Sequence, residues 1–143
     1  MFAELFEELQ AIGERFTQCV RRIKTLNKAN EICCRWDKVL GIGPIIASAT
    51  YAAAGDGKEF VNGRHYSAWL GLVPGQHSSG GKPTLLGICK RGNSYLRTLY
   101  IHGARAVLRH SANKTDRFSL WAQASKTRRG HNKACVAVAN KLA

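Results

Sequence analysis

The chain has 143 residues, 45% of them hydrophobic, and a formal net charge of +13 at pH 7. This length suits one compact domain, and this composition excludes a disordered chain. The charge is uneven, because residues 1–40 carry a net +1 whereas residues 41–143 carry a net +12. A cationic surplus of this kind indicates a nucleic-acid partner, since each neutralised phosphate releases counterions, and a merely solvated basic surface is the alternative.

Cysteines and carboxylates limit the chemistry. The five cysteines are odd in number and lack C-x-x-C spacing, which predicts reduced thiols in a cytoplasmic protein. The sequence shows neither a signal-peptide pattern nor an apolar run of membrane-spanning length, so we expect a soluble chain with no membrane partner. After Asp37 the only carboxylates are Asp56, Glu59 and Asp116, without motif spacing, which predicts no metal site and no cofactor within this chain.

The pattern predicts two units, a linker over residues 1–38 and a helical domain over residues 39–143. Apolar residues recur at steps of three and four through the linker, which predicts one amphipathic helix from Phe2 to about Trp36. A helix of about 35 residues is long for a compact domain. Its apolar stripe therefore packs either on its own domain or, as in a coiled coil, on a second helix or chain.

The helical domain begins with a glycine turn at Gly41 and Gly43. Pro44 suits the first turn of a helix that should run to about Ala54. A helix, a glycine turn and a second helix resemble the helix-hairpin-helix motif, although Leu40 stands where a proline is common. Glycines let backbone N–H groups approach a DNA phosphate, so Gly41 and Gly43 are candidate DNA-binding residues. A simple interhelical turn is the alternative.

Farther along, the predicted fold class is mainly α. Further helices are expected over residues 63–71, 93–110, 116–125 and 131–143. Pro83 to Ile88 is either irregular or one arm of a short β-hairpin near residues 82–89. Arg105 lies on the polar face of the helix after Asn93, and Arg128 and Arg129 lie in a basic break before the last helix; these three arginines are candidate DNA-binding residues.

The run His77-Ser78-Ser79-Gly80-Gly81-Lys82 is the candidate for covalent chemistry. A serine that attacks a phosphate needs its proton removed and the phosphate charge neutralised. His77 would accept or relay the proton. The cations available for the phosphate are Lys82, Lys90, Arg91 and Arg97. From the residues alone, a loop of this composition is more often only a loop, and an exposed histidine is more often a bystander.

Three blocks of the chain resemble the C-terminal domain of a bacterial transposase family. They are Gly41-Ile42-Gly43-Pro44, the segment from Gly55-Asp56-Gly57 to Pro74, and His77 to Lys82 with Gly87-Ile88, Lys90, Gly92-Asn93 and Leu96-Arg97. The family comprises insertion-sequence transposases related to Piv-type DNA invertases, including the bridge-RNA-guided recombinases. The resemblance covers the chain from about Val39 to its end.

This resemblance implies a two-part enzyme. A RuvC-like N-terminal domain would bind Mg²⁺ through four acidic residues, and a helical domain would supply a serine that joins covalently to DNA. By position that serine is Ser79, with Ser78 as the less favoured neighbour. The resemblance also implies DNA as a partner, a guide RNA in the RNA-guided members, and dimers or tetramers formed through a coiled-coil linker.

The acidic domain is not found in this sequence, so we expect a fragment or a degenerate gene product whose metal ligands would come from another chain. The alternative function is a non-catalytic nucleic-acid-binding remnant that regulates a full-length transposase by pairing through its first helix. A structural RNA-binding role is a third hypothesis.

Overall fold

The computed structural model describes residues 2–79 and 82–143, with the backbone alone for residues 78, 79, 82 and 83. This part of the chain is mainly α-helical, as predicted, with one two-stranded antiparallel sheet. The elements in chain order are α1 (Phe2–Lys28), α2 (Glu31–Asp37), α3 (Pro44–Ala54), α4 (Gly63–Trp69), β1 (Pro74–Ser79), β2 (Lys82–Ile88), α5 (Ser94–His110), α6 (Arg117–Arg129) and α7 (His131–Leu142).

The long N-terminal helix is present as α1, but it ends earlier than the apolar spacing suggested. α2 begins after Asn30, whose side-chain oxygen accepts hydrogen bonds from the backbone N–H groups of Ile32 (2.9 Å) and Cys33 (3.2 Å). Asparagine at this position satisfies N–H groups that a helix start leaves free, which favours a new helix over continuation of the old one. The apolar pattern continues through the break and therefore conceals it.

α1 is anchored to the rest of the fold at its C-terminal end. It packs against α2 and α3, and its buried residue Asn27 donates from Nδ2 to the carbonyl oxygen of Pro44 at 2.7 Å. Residues 2–19 are all exposed, including the large apolar side chains of Phe2 (84% exposed) and Phe16 (63% exposed). The apolar stripe of α1 is thus left uncovered by its own chain over most of its length.

The core is formed where α5 packs against α7, with α3, α4 and α6 around them. The inward face of α5 is the predicted one, with Leu96, Tyr100 and Val107 buried. Burial of each large apolar side chain contributes about 1.5–3 kcal/mol. The other fully buried residues of this core include Ala47, Leu70, Leu72, Leu108, Ala122 and Val138.

Three hydroxyl groups are joined inside this core. Tyr66 donates through its hydroxyl to the hydroxyl of Tyr100 at 3.2 Å, and the Tyr100 hydroxyl lies 3.4 Å from Thr50 Oγ1. These bonds satisfy polar groups that would otherwise be buried without a partner. Burial raises the pKa of both Tyr66 and Tyr100, because the charged phenolate would be poorly solvated there.

β1 and β2 form a hairpin, which we call the arm. The register pairs Pro74 with Ile88 at the base, His77 with Thr84 midway and Ser79 with Lys82 at the far end. Neither strand packs on a helix in the described part of the chain. β2 falls where a short hairpin strand was expected, whereas β1 was not foreseen, because Pro74 and Gly75 favour a loop and the residues after them are polar.

Candidate nucleic-acid interface

The arm is fixed to the helical body at its base. A Cβ atom on Gly92 would overlap the backbone of Trp69–Gly71, so the chain entering the arm and the chain leaving it cross in close contact. Arg97 bridges the same two segments, because its Nη1 donates to the carbonyl oxygens of Leu70 (3.1 Å) and Gly92 (3.2 Å). Arg97 therefore holds the base of the arm, and its expected contact with DNA stays a prediction.

Ser79 is the last residue of β1 and pairs with Lys82, the first residue of β2. Gly80 and Gly81, between them, lie outside the described residues. Because successive strand residues alternate between faces, positions 77 and 79 share one face of the arm with their partners 84 and 82. His77 is exposed on that face. Ser78, by the same alternation, belongs to the opposite face.

Lys90 and Arg91 lie at the other end of the arm and are exposed. Six residue steps from Lys82 to Ile88 correspond to about 20 Å of strand. Lys90, Arg91 and Arg97 are therefore not brought together with Lys82 around a single phosphate. The backbone of Lys90 has a φ of 57°, a left-handed conformation that is uncommon for residues other than glycine, asparagine and aspartate.

Arg105 belongs to an exposed stripe along α5. The five residues of this stripe are three or four positions apart, so they lie on one face of the helix over a length of about 21 Å. They are Tyr95, Thr98, His102, Arg105 and Arg109. No acidic residue occurs in α5. Tyr95, Thr98 and His102 were not expected at the interface, although they are simply the complement of the predicted apolar face, so helical periodicity would have identified them.

Arg128 and Arg129 are exposed in the last turn of α6. The expected basic break is helical up to Arg129, and the change of direction falls at Gly130, which has a φ of 80°. Cations at this end of a helix are stabilised by the helix dipole, which gives these two arginines a structural explanation besides DNA binding. They are not part of the α5 stripe.

The two glycines of the predicted DNA-binding turn have different surroundings. Gly41 has a φ of 88°, and a Cβ atom there would lie 2.5 Å from Val107 Cγ2 and 3.2 Å from the carbonyl oxygen of Gly103. Gly41 thus faces α5, and its lack of a side chain allows close packing. Gly43 precedes α3 and has open space where a Cβ atom would stand. Of the two, Gly43 is the one that a phosphate would reach.

A groove of about 910 Å³ separates β2 from α7. Leu85, Leu86 and Val136 line it with apolar surface, and the liners include two cations, Lys133 and Lys141, but no carboxylate. Sequence alone gives no signal for this groove, because its two walls are about 50 residues apart in the chain. It places two lysines in a largely apolar groove beside the arm.

Within residues 2–79 and 82–143, no group of three or more His, Cys, Asp or Glu side chains is arranged to hold a metal ion. Among the described helices, none combines the length and apolar character needed to cross a membrane.

Comparison with known proteins identifies related sequences. The model of the family described as Transposase IS116/IS110/IS902 matches residues 36–119. The chain is 52% identical over its whole length to the transposase for insertion sequence element IS1111A of Coxiella burnetii, and 50% identical to a probable family 20 transposase of Pseudomonas aeruginosa. The transposase for insertion sequence element IS1328 of Yersinia enterocolitica is 35% identical over the same 143 residues.

The chain spans 38%, 42% and 43% of the length of these three curated relatives. No solved structure matches it.

Proposed function

Because this chain belongs to the IS116/IS110/IS902 transposase family, we propose that it is the transposase part that grips DNA and carries a serine nucleophile, Ser79. DNA transposition is the reaction we assign to it, although the chain spans only about two fifths of the length of the two most similar transposases named above. The arrangement of the arm is the observation that carries the assignment. Position 79 is at the far end of a ribbon that, within the described residues, packs on no helix, and this placement supports its approach to a DNA backbone.

The proposed step is a transesterification at phosphorus. The Ser79 oxygen forms a bond to a backbone phosphate, the bond to one deoxyribose oxygen breaks, and that oxygen leaves with a proton. His77, on the same face of the arm, takes the serine proton. Lys82, the cross-strand partner of Ser79, stabilises the charge that develops on the phosphate.

The other cations bind neighbouring phosphates rather than the reacting one. Duplex DNA carries a charge about every 1.7 Å of its axis, so an arm of about 20 Å spans many of them. Lys90, Arg91 and Arg97 at the base, Arg105 on α5, and Arg128 and Arg129 on α6 would hold the backbone independently of sequence. Gly43, in a helix-hairpin-helix turn that Gly41 packs against α5, would add a backbone contact.

A guide RNA is a further partner in this proposal, and copies of the chain assemble as dimers or tetramers through α1. Magnesium does not fit the described residues of this chain, which offer no ligand group. In this proposal Mg²⁺ would be bound by a RuvC-like domain, as the family resemblance implies, and no step above depends on it.

The test is a pair of serine substitutions in a transposase that contains this chain together with a RuvC-like domain. Incubation with DNA that traps the covalent state should give a protein–DNA adduct, and mass spectrometry should locate it at Ser79. Ser79→Ala should abolish the adduct and strand exchange, whereas the neighbouring control Ser78→Ala should retain both. Strand exchange that survives Ser79→Ala would refute the nucleophile.

A second candidate function is a non-catalytic regulator that binds nucleic acid and pairs with a full-length transposase. The scarcity of carboxylates favours it, because Asp116 is the one acidic residue after residue 59. This alternative predicts salt-dependent binding of DNA or RNA with no covalent adduct under any condition.

A further inference from the structure

The apolar stripe of α1 repeats every seven residues. Its members are Phe2, Leu5, Leu9, Ile12, Phe16, Cys19, Ile23 and Leu26, at alternating steps of three and four. This is the a and d pattern of a coiled coil sustained over four heptads. All are exposed except Ile23, which is half-buried, so the described part of the chain does not cover this seam.

Charge divides the same helix into two halves. Residues 2–14 contain four glutamates and no Lys or Arg, whereas residues 15–28 contain five Lys or Arg and no carboxylate. The helix dipole favours such a distribution, but its influence falls off within the first and last turn. Glu14 and Arg15 lie in the middle of α1, beyond that influence. The division therefore calls for an explanation outside the helix itself.

We propose that α1 pairs with α1 of a second copy of this chain in antiparallel orientation. In a parallel pair the four glutamates of one helix would lie beside those of the other, and the basic halves would also meet. In an antiparallel pair each acidic half lies along a basic half. The inference rests on the proposed function for one premise, that copies assemble through α1.

The heptad and the charges select one register. When Phe2 pairs with Leu26 of the second copy, Leu9 pairs with Cys19, and all eight seam positions find a partner. A shift by one heptad in either direction leaves two seam residues of each helix unpaired and shortens the overlap of each acidic half with a basic half. The chosen register also brings Glu8, at a g position, near Arg22 of the second copy twice per dimer. Arg15 meets its own counterpart at the centre, which is the one unfavourable pair.

Cys19 allows a direct test, because its seam position is occupied by a thiol in the natural chain. In a parallel pair the two Cys19 thiols would face each other. In the antiparallel register they lie ten residues apart along the axis, about 15 Å, which is beyond disulfide reach. A cysteine at position 9 would instead face Cys19 of the second copy.

The experiment uses the full chain with Cys34 and Cys89 replaced by serine, so that Cys19 is the reactive thiol. After mild oxidation, most molecules of the Leu9→Cys variant should form a covalent dimer. The chain without a substitution in the seam should not crosslink. Leu26→Cys is the matched control and should also fail to crosslink. A Cys19–Cys19 dimer of the unaltered seam would establish parallel pairing and overturn the proposal, as would a monomeric chain with no crosslink in any variant.

A charge exchange gives a second measurement that does not depend on thiol geometry. Glu8→Arg should weaken the dimer by about threefold to tenfold in analytical ultracentrifugation, because two ion pairs are lost. Adding Arg22→Glu to the same chain should restore the affinity. An unchanged dimer in Glu8→Arg, or no rescue in the double variant, would count against this register. Neither result depends on DNA binding or on Ser79, so failure here would remove the antiparallel register, or assembly through α1, and would leave the proposed nucleophile and DNA contacts standing.

Discussion

The α-carbon of Gly103 lies against the carbonyl group of Gly41, so closely that a Cβ atom on Gly103 would overlap the Gly41 oxygen. This contact joins the turn before α3 to the middle of α5. It therefore fixes the position of the predicted DNA-binding turn relative to the exposed stripe of α5 that contains Arg105.

Replacing Gly103 by alanine should lower the free energy of unfolding by about 1–3 kcal/mol or more, because the backbone of the turn must move. Gly13→Ala is the matched control, since both glycines lie inside helices but Gly13 has open space around it. The control should instead raise stability by about 0.5–1 kcal/mol through helix propensity. Urea denaturation of both variants measures the difference, and equal effects would contradict the packing described.

Arg97 should contribute to stability through its hydrogen bonds, in addition to the phosphate contact proposed for its positive charge. Arg97→Lys keeps the positive charge but loses the geometry that reaches both Leu70 and Gly92, so the free energy of unfolding should fall by about 1.5–3 kcal/mol. DNA affinity, measured by fluorescence anisotropy at fixed salt, should change little. Arg91→Lys, at an exposed position, is the control and should leave stability unchanged. A loss of affinity without a loss of stability in Arg97→Lys would reverse this assignment.

The buried tyrosines predict a loss of stability in alkali. Burial holds the pKa of Tyr66 above that of an unfolded tyrosine, which is about 10. Tyr66 therefore stays protonated in the folded state at a pH at which it loses its proton in the unfolded state. Its contribution to the free energy of unfolding is complete below about pH 10. Above that pH the contribution declines by up to about 1.4 kcal/mol per pH unit.

Tyr66→Phe should make this alkaline decline shallower, and Tyr95→Phe, at a residue that is 60% exposed, should not. Chemical denaturation at a series of pH values from about 8 to 11 would measure both slopes. Parallel curves for all three chains would mean that the Tyr66 proton does not contribute to folding.

Arg105 should contribute one phosphate contact. Arg105→Ala is expected to weaken DNA binding about equally for all sequences and to reduce the slope of log affinity against log salt by about one. Arg35→Ala is the control, because Arg35 is exposed on α2 and already pairs with Glu31 at 2.8 Å. Identical slopes for both variants would remove α5 from the interface.

The helical part of this fold could be predicted from sequence because its signals are local. Asn93 caps α5, Pro44 begins α3, and apolar residues at steps of three and four mark the inward faces. The break at Asn30 was missed because the apolar spacing runs through it without interruption. The break depends on one side chain that favours a new helix start.

The candidate site was harder to predict, because its geometry depends on contacts between distant segments. The grouping of Lys82 with Lys90, Arg91 and Arg97 followed their closeness in sequence, yet the length of β2 separates Lys82 from the other three by about 20 Å. The role of Arg97 depends on Leu70, 27 residues earlier. The sequence predicted Gly41 as a phosphate contact. In the structure a glycine is required at this position because α5, about 60 residues later, leaves no room for a Cβ atom.

Among the described residues, the arm is attached to the helical body only at its base, so the length of the arm does not affect the stability of the helical body. Removing one cross-strand pair would shorten the ribbon by a single step of about 3.3 Å and turn position 79 to the opposite face. Removing two pairs would restore the face while drawing the serine inward by about 6.6 Å. The length of the arm can thus be changed in steps of two residues while position 79 keeps its face, and no described helix needs to repack.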